Sequence, residues 1–160
     1  MDKLLKLLSE NSSFSVAELS SMLCEPEDYI AAQIKEYEDT GVIRGYRAIV
    51  NWDEVPHSGV IALIELKVAP QQQKGFDEIA ERIMTFDEVE SVYLMAGSYD
   101  LLLSVKGETI QDISAFVAKK LSALEGILAT ATHFMLKKYK DNGVALVDID
   151  GEKDRREMVI

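Results

Sequence analysis

Cysteine is nearly absent from this chain: its 160 residues hold one, Cys24. That excludes an internal disulfide and a multi-cysteine zinc site, and it fits a reducing cytoplasm. A lone cysteine at a helix bend is expected to be a small buried residue. Histidine is almost as scarce, with only His57 and His133. No further ligands converge on either in sequence, so no metal site is expected. Long apolar runs are missing, and none approaches the ~18 residues of a membrane span. The opening segment MDKLLKLLSE lacks an extended apolar region and a small-residue cleavage site, so no signal peptide is read there. Positive charge is short as well: 17 Lys and Arg face 28 Asp and Glu, a net charge of -11. A strongly basic nucleic-acid binder is thereby disfavoured, although a few placed cations in a dimer can still meet DNA. No catalytic motif stands out, so neither an enzyme nor a cofactor is expected.

The apolar fraction of 48% is enough for a core, in one ordinary domain or two small ones. The first half-hundred residues read as three short helices. Leu4, Leu5, Leu7 and Leu8 fill one face of the first. Ser15 and Glu18 have capping-box spacing ahead of Leu19, Met22 and Leu23. After a bend at Cys24-Glu25-Pro26, a third helix is predicted over residues 27–40, with Ile30, Ile34 and Tyr37 at helical spacing and Gly41 as its stop. Helix, tight turn, longer helix is the helix-turn-helix plan, but a small three-helix cap of any kind has the same pattern. Residues 42–51 (VIRGYRAIVN) read as a strand leaving this module.

Residues 52–59, with Pro56 and Gly59, read as a linker. Beyond it, strands are expected at 60–68, 89–96, 101–105 and 127–138. Phe76, Ile79, Ala80 and Ile83 mark one helix between them, and Ile110, Ile113, Val117, Leu121 and Leu124 another. The order β-α-β-β-α-β is the ferredoxin-like plan. A weak internal echo supports it, since FDEIAERI leads into FDEVESVYL as IQDISAFV leads into LEGILATATHF. The fold class is therefore α+β. The domains are 1–51 (helix-turn-helix, winged-helix-like), 52–59 (linker), 60–141 (ferredoxin-like domain) and 142–160 (a charged tail, in which 144–147 could add an edge strand). Two helices cover only one face of a four-stranded sheet. The runs Val60-Ile61-Ala62-Leu63-Ile64 and Leu101-Leu102-Leu103 are apolar on both faces, which implies a partner for the open face and hence a sheet-to-sheet homodimer. His133 lies in a strand and faces solvent or that interface.

The stretch with most chemistry is MAGSYDLLLSV, where Gly97-Ser98-Tyr99-Asp100 joins two apolar strands. Such a loop offers backbone N–H groups, a hydroxyl and a carboxylate in one place, which suits a small zwitterion. The plain alternative is that Asp100 is a turn carboxylate closing the loop.

These residues carry a likeness. VAELSSML, IKEYEDTGVIRGYRAIVN, MAGSYDLLLSV and ATATHFMLKKYK occur in order over nearly the whole chain, and together they resemble the Lrp/AsnC (feast/famine) family of transcriptional regulators. The resemblance implies a DNA-binding helix-turn-helix and a ferredoxin-like effector domain. It also implies dimers, in many members assembled further into tetramers or octamers, and amino-acid effectors bound between subunits. It carries the effector site to Leu94, Gly97, Ser98, Tyr99 and Asp100, with Thr130 and Thr132 reaching in from a neighbouring chain. The family's arginine-rich helix is here Gln33-Ile34-Lys35-Glu36-Tyr37-Glu38, preceded by Glu25, Glu27 and Asp28. Over residues 1–51, five basic residues face nine acidic ones, a net of -4. Candidate contacts to double-stranded DNA are Lys3, Lys6, Lys35, Arg44 and Arg47, with Ser12, Ser13, Tyr29 and Gln33 as neutral donors. A protein of this fold that keeps the effector and has lost DNA reading is the alternative. A remote one is a sirohaem decarboxylase-like enzyme, for which His133, Lys137, Lys138 and Lys140 are the only cationic hint.

Overall fold

A computed structural model describes residues 2–69 and 75–147. The chain divides into two compact units, Met1–Val50 and Asn51–Ile160.

The first unit holds three helices, α1 (Lys3–Glu10), α2 (Val16–Leu23) and α3 (Glu27–Asp39). Each start follows from local chemistry. Asp2 caps α1 by accepting the Leu5 N–H at 3.0 Å. Ser15 and Glu18 close a reciprocal capping box on α2: the Ser15 N–H donates to Glu18 at 2.7 Å and the Glu18 N–H donates to Ser15 Oγ at 3.3 Å. At α3, Gly41 takes φ +73 just past the helix end, the left-handed position that glycine reaches without a Cβ penalty. Leu4, Leu19 and Ile30, one from each helix, are buried together, with Leu7, Leu8, Phe14, Val16, Leu23, Ile34 and Tyr37 around them. Tyr37 also ties α3 to α1, its hydroxyl donating to Asp2 Oδ2 at 2.7 Å.

Met22 is exposed, and the three-helix contact is completed by Leu19 and Leu23. Two expectations fail in this unit. Cys24 is exposed, since it forms the left-handed end of α2 (φ 56) at the surface bend. Residues 42–51 form no strand among the described residues. Among the described residues their β-forming side chains have no neighbouring strand to complete a ladder, and β propensity expresses such packing more than any backbone preference.

The second unit opens with one 3-10 turn, Trp52–Glu54. Then come β1 (Val60–Val68), α4 (Asp77–Met84), β2 (Val89–Leu94), β3 (Leu101–Gly107), α5 (Ile110–Phe116), β4 (Ile127–Phe134) and a small hairpin of β5 (Lys140–Asp141) and β6 (Val144–Ala145). The four longer strands make an antiparallel sheet in the order β2-β3-β1-β4, the ferredoxin-like arrangement. Alternation along β1 decides its faces. Ala62, Ile64, Leu66 and Val68 are buried with Leu101, Leu103 and Val105 of β3 beneath Ile79 and Ile83 of α4 and Ile113 and Phe116 of α5. Ile61, Leu63 and Glu65 lie on the other face. Gly126, at φ +95, leads into β4 so close to α4 that a Cβ there would stand 2.7 Å from Ile79 Cδ1.

The second expected helix is shorter than its apolar spacing suggested. It gives way at Val117 to a π-helical turn, Val117–Leu121, and Ile110 is exposed. β4 ends at Phe134 rather than 138, and Leu136 is almost fully exposed. The β5–β6 hairpin, turning at Asn142-Gly143, lies within the stretch read as a tail, and Asn51 Nδ2 donates to the Leu146 carbonyl at 2.9 Å. The rest of that stretch, 148–160, lies outside the described residues.

Candidate functional site

The loop of residues 95–100 spans from β2 to β3 at one end of the sheet. Its base is closed by the Met95 N–H donating to the Asp100 carbonyl at 2.8 Å. Asp100 then anchors it to β1: its N–H donates to the Leu66 carbonyl at 2.9 Å. One carboxylate oxygen, Oδ2, accepts the Val68 N–H at 2.8 Å, and the other, Oδ1, takes Lys67 Nζ at 3.2 Å. The Val68 N–H chiefly, and Lys67 after it, hold the Asp100 carboxyl below the usual aspartate range. The plain role of Asp100, closing the loop, is thus met by its geometry.

Outside that anchor the loop is open. Gly97 and Ser98 are exposed and Tyr99 is half-buried. A Cβ built on Gly97 would meet no atom within 4 Å. Among the described residues, the N–H groups of Ala96, Gly97, Ser98 and Tyr99 donate no hydrogen bond. Exposed backbone donors of this kind are open to water or to an anionic group.

Of the other expected effector residues, Leu94 adjoins the loop as the last residue of β2, whereas Thr130 and Thr132 are not brought to it within one chain. Leu94 pairs with Leu101 on β3, Leu101 with Leu66 on β1, and Leu66 with Thr130 on β4. Leu94 and Thr130 therefore sit on one row across the helix-covered face but at its opposite edges, three strand spacings or roughly 14 Å apart. Thr132 lies on the same face, opposite Ile64. Asp100, flanking Leu101, sits opposite Lys67 at the end of the uncovered face. Lys67 is not legible as a site residue from the sequence, because only the β1–β3 register brings it to Asp100; its one signal is a cation near the end of the run VIALIELKV.

In the helical unit the candidate DNA contacts are all at the surface or close to it. Several already have partners: Lys35 pairs with Asp39 at 2.8 Å, Lys6 with Glu10 at 3.8 Å, and Gln33 donates to Glu36 at 3.0 Å. Ser13 donates to Asn11 from both its N–H (3.0 Å) and its hydroxyl (2.7 Å). The Arg44 guanidinium lies over Gly41. Tyr29 is exposed on the first turn of α3, beside Glu27 and Asp28. Lys3, Ser12 and Arg47 are exposed.

On the uncovered sheet face, His133 Nε2 stands 3.5 Å from a Glu65 oxygen, with both side chains partly exposed. Lys137 packs over Tyr139 and Lys138 pairs with Asp141 at 3.0 Å, so these cations do not gather around His133.

Comparison with known proteins places this architecture. Residues 61–145 match the Lrp/AsnC ligand binding domain. The uncharacterized HTH-type transcriptional regulator YugG of Bacillus subtilis is 42% identical over 152 residues, 94% of this chain and 92% of that protein. A proline dehydrogenase transcriptional activator of Rhizobium radiobacter is 29% identical over 144 residues, 89% of this chain and 90% of that one. Among solved structures, a transcriptional regulator of Neisseria meningitidis in complex with L-Met superposes with a TM-score of 0.68 at 27% identity, covering 88% of this chain and 93% of that one. Escherichia coli AsnC shares the fold, with a TM-score of 0.67 at 20% identity over 90% of this chain and 97% of that one. The chain belongs to the Lrp/AsnC family, whose named relatives are HTH-type transcriptional regulators. No helix among the described residues is long and apolar enough to cross a membrane.

Proposed function

We propose that this chain is a sequence-specific DNA-binding transcriptional regulator. Its DNA affinity or assembly is set by a small effector bound between subunits, with an amino acid the favoured class. The observation that carries the reading is the exposed loop 95–100, with four free N–H groups, in a chain of this family. The Neisseria relative solved with L-Met supports the ligand class. Leu94, Gly97, Ser98, Tyr99 and Asp100 belong to the site from one subunit. Thr130 and Thr132, a sheet width away in the same chain, belong to it from a neighbour. The uncovered sheet face, with Ile61, Leu63 and Leu102, favours a homodimer as the basic assembly. A ligand at a subunit junction changes how subunits are oriented, and with it the spacing of paired α3 helices against the DNA repeat.

One observation favours the alternative of an effector-binding assembly with weak DNA contact. Lys35, the only cation on α3, is paired to Asp39, and the first turn of α3 carries Glu27 and Asp28. A gel shift with the protein's own upstream region, at low and then moderate salt, separates the two. Regulation through DNA requires a shifted band at low salt that weakens as salt rises. An intact oligomer with no shift in either condition overturns it in favour of the assembly.

A further inference from the structure

This inference rests on the effector-loop reading above and deepens it. An amino acid brings a carboxylate and an ammonium. The free N–H groups of residues 96–99 suit the first, and Asp100 is the one carboxylate in the loop for the second. That seat is taken. Oδ2 of Asp100 is committed to the Val68 N–H at the bulge where the β1–β4 pairing shifts between Lys67 and Val68. The backbone N–H and carbonyl of Asp100 are both bonded as well. With the backbone of Asp100 bonded on both sides, a new partner for Oδ2 has to displace the Val68 N–H. Oδ1 is the oxygen left for a ligand, and Lys67 Nζ sits on it at 3.2 Å. The Asp100 side chain is 18% exposed and that of Lys67 47%, so an incoming group meets the lysine end of the pair.

We propose that Lys67 is a specificity-determining residue of the effector site: an internal ammonium that occupies Asp100 in place of the ligand's and leaves the site selective for the ligand's carboxylate. A ligand ammonium gains Asp100 only by giving up the Lys67 pair, an exchange of one charge-assisted hydrogen bond for another that nets little. The ligand class is then a small carboxylic acid, for which the α-amino group is nearly indifferent. An amino acid and its 2-oxo analogue are taken about equally well.

The test is calorimetry on the full-length protein with matched pairs: L-methionine and 4-methylthio-2-oxobutanoate, L-leucine and 4-methyl-2-oxopentanoate, L-alanine and pyruvate. In the wild type, the members of a binding pair should agree within about threefold. In Lys67→Met, Oδ1 is freed and the amino acid should gain at least about tenfold over its 2-oxo partner. Lys67→Arg keeps the cation and should retain the wild-type ratio, which separates the charge effect from any change in folding. A wild type that already prefers the amino acid more than tenfold, with a ratio unmoved in Lys67→Met, overturns the role of Lys67 and leaves the effector loop standing. No binding of any pair member by wild type or variant overturns the effector reading itself for this ligand class, and the role of Lys67 with it.

Discussion

Asp100 illustrates how a single side chain can be readable in kind and not in partner. Its place after Gly97-Ser98-Tyr99 marked it as polar chemistry at a strand junction, but both oxygens meet β1, 33 residues away for Lys67 and 32 for Val68. Only the strand register reveals such a partner. The sign of its titration follows. A carboxyl held below its ordinary value contributes stability that is present above the ordinary aspartate range and lost as pH falls through the lowered value. In a carboxyl NMR titration, Asp100 should titrate below the ordinary range. In Lys67→Met its midpoint should rise yet stay low, because the Val68 N–H is the larger cause. A midpoint at the ordinary value in that variant contradicts the assignment. Tyr37 gives a second residue-scale case. Its bond to Asp2, with help from burial, pushes its hydroxyl up to about 12, so the proton-linked part of that contact is present below the ordinary tyrosine range and lost as pH rises through that value. Tyr37→Phe should cost the helical unit about 0.5–1 kcal/mol by chemical denaturation, toward the low end because the contact is solvent-screened. No measurable change would show that water replaces the bond.

At the scale of elements, the parts that read clearly were those whose signal is local. The Ser15–Glu18 box starts α2 and the period-2 burial of Val60–Val68 makes β1, as the residues alone suggest. Parts that depend on a neighbour were less legible. Residues 42–51 have β-type side chains and no ladder. The helix expected through Leu124 breaks into a π-helical turn, where Phe86 and Phe116 meet edge to face at 5.5 Å with Lys120 beside both rings. Neither event has a signature within its own segment. The sheet order β2-β3-β1-β4 puts Leu103 at the centre of the helix-covered face, where it is fully buried. Leu103→Ala should therefore cost about 2–5 kcal/mol, measured by urea denaturation. A loss under about 1 kcal/mol would mean that the core closes around the cavity far better than a packed interior usually does.

For the whole molecule, charge and assembly decide what the two units can do. A net of -11 on the chain and -4 over residues 1–51 leave little cationic surface to neutralise phosphates. On the proposed reading, DNA affinity comes from several modules on one DNA rather than from each alone. The candidate effector residues point the same way, since Leu94 and Thr130 occupy opposite edges of a single sheet. Function on this reading belongs to the oligomer, and the coupling between its ligand and its DNA is the central claim. The direct measurement is DNA affinity for the upstream region with and without a saturating amino acid, chosen as the one that most raises the thermal midpoint. The expected result is a shift in apparent Kd of about 5- to 150-fold, the usual range of allosteric coupling, reduced toward unity in a Gly97 variant that crowds the loop. An amino acid that binds and stabilises the protein while leaving its DNA affinity unchanged would contradict that coupling.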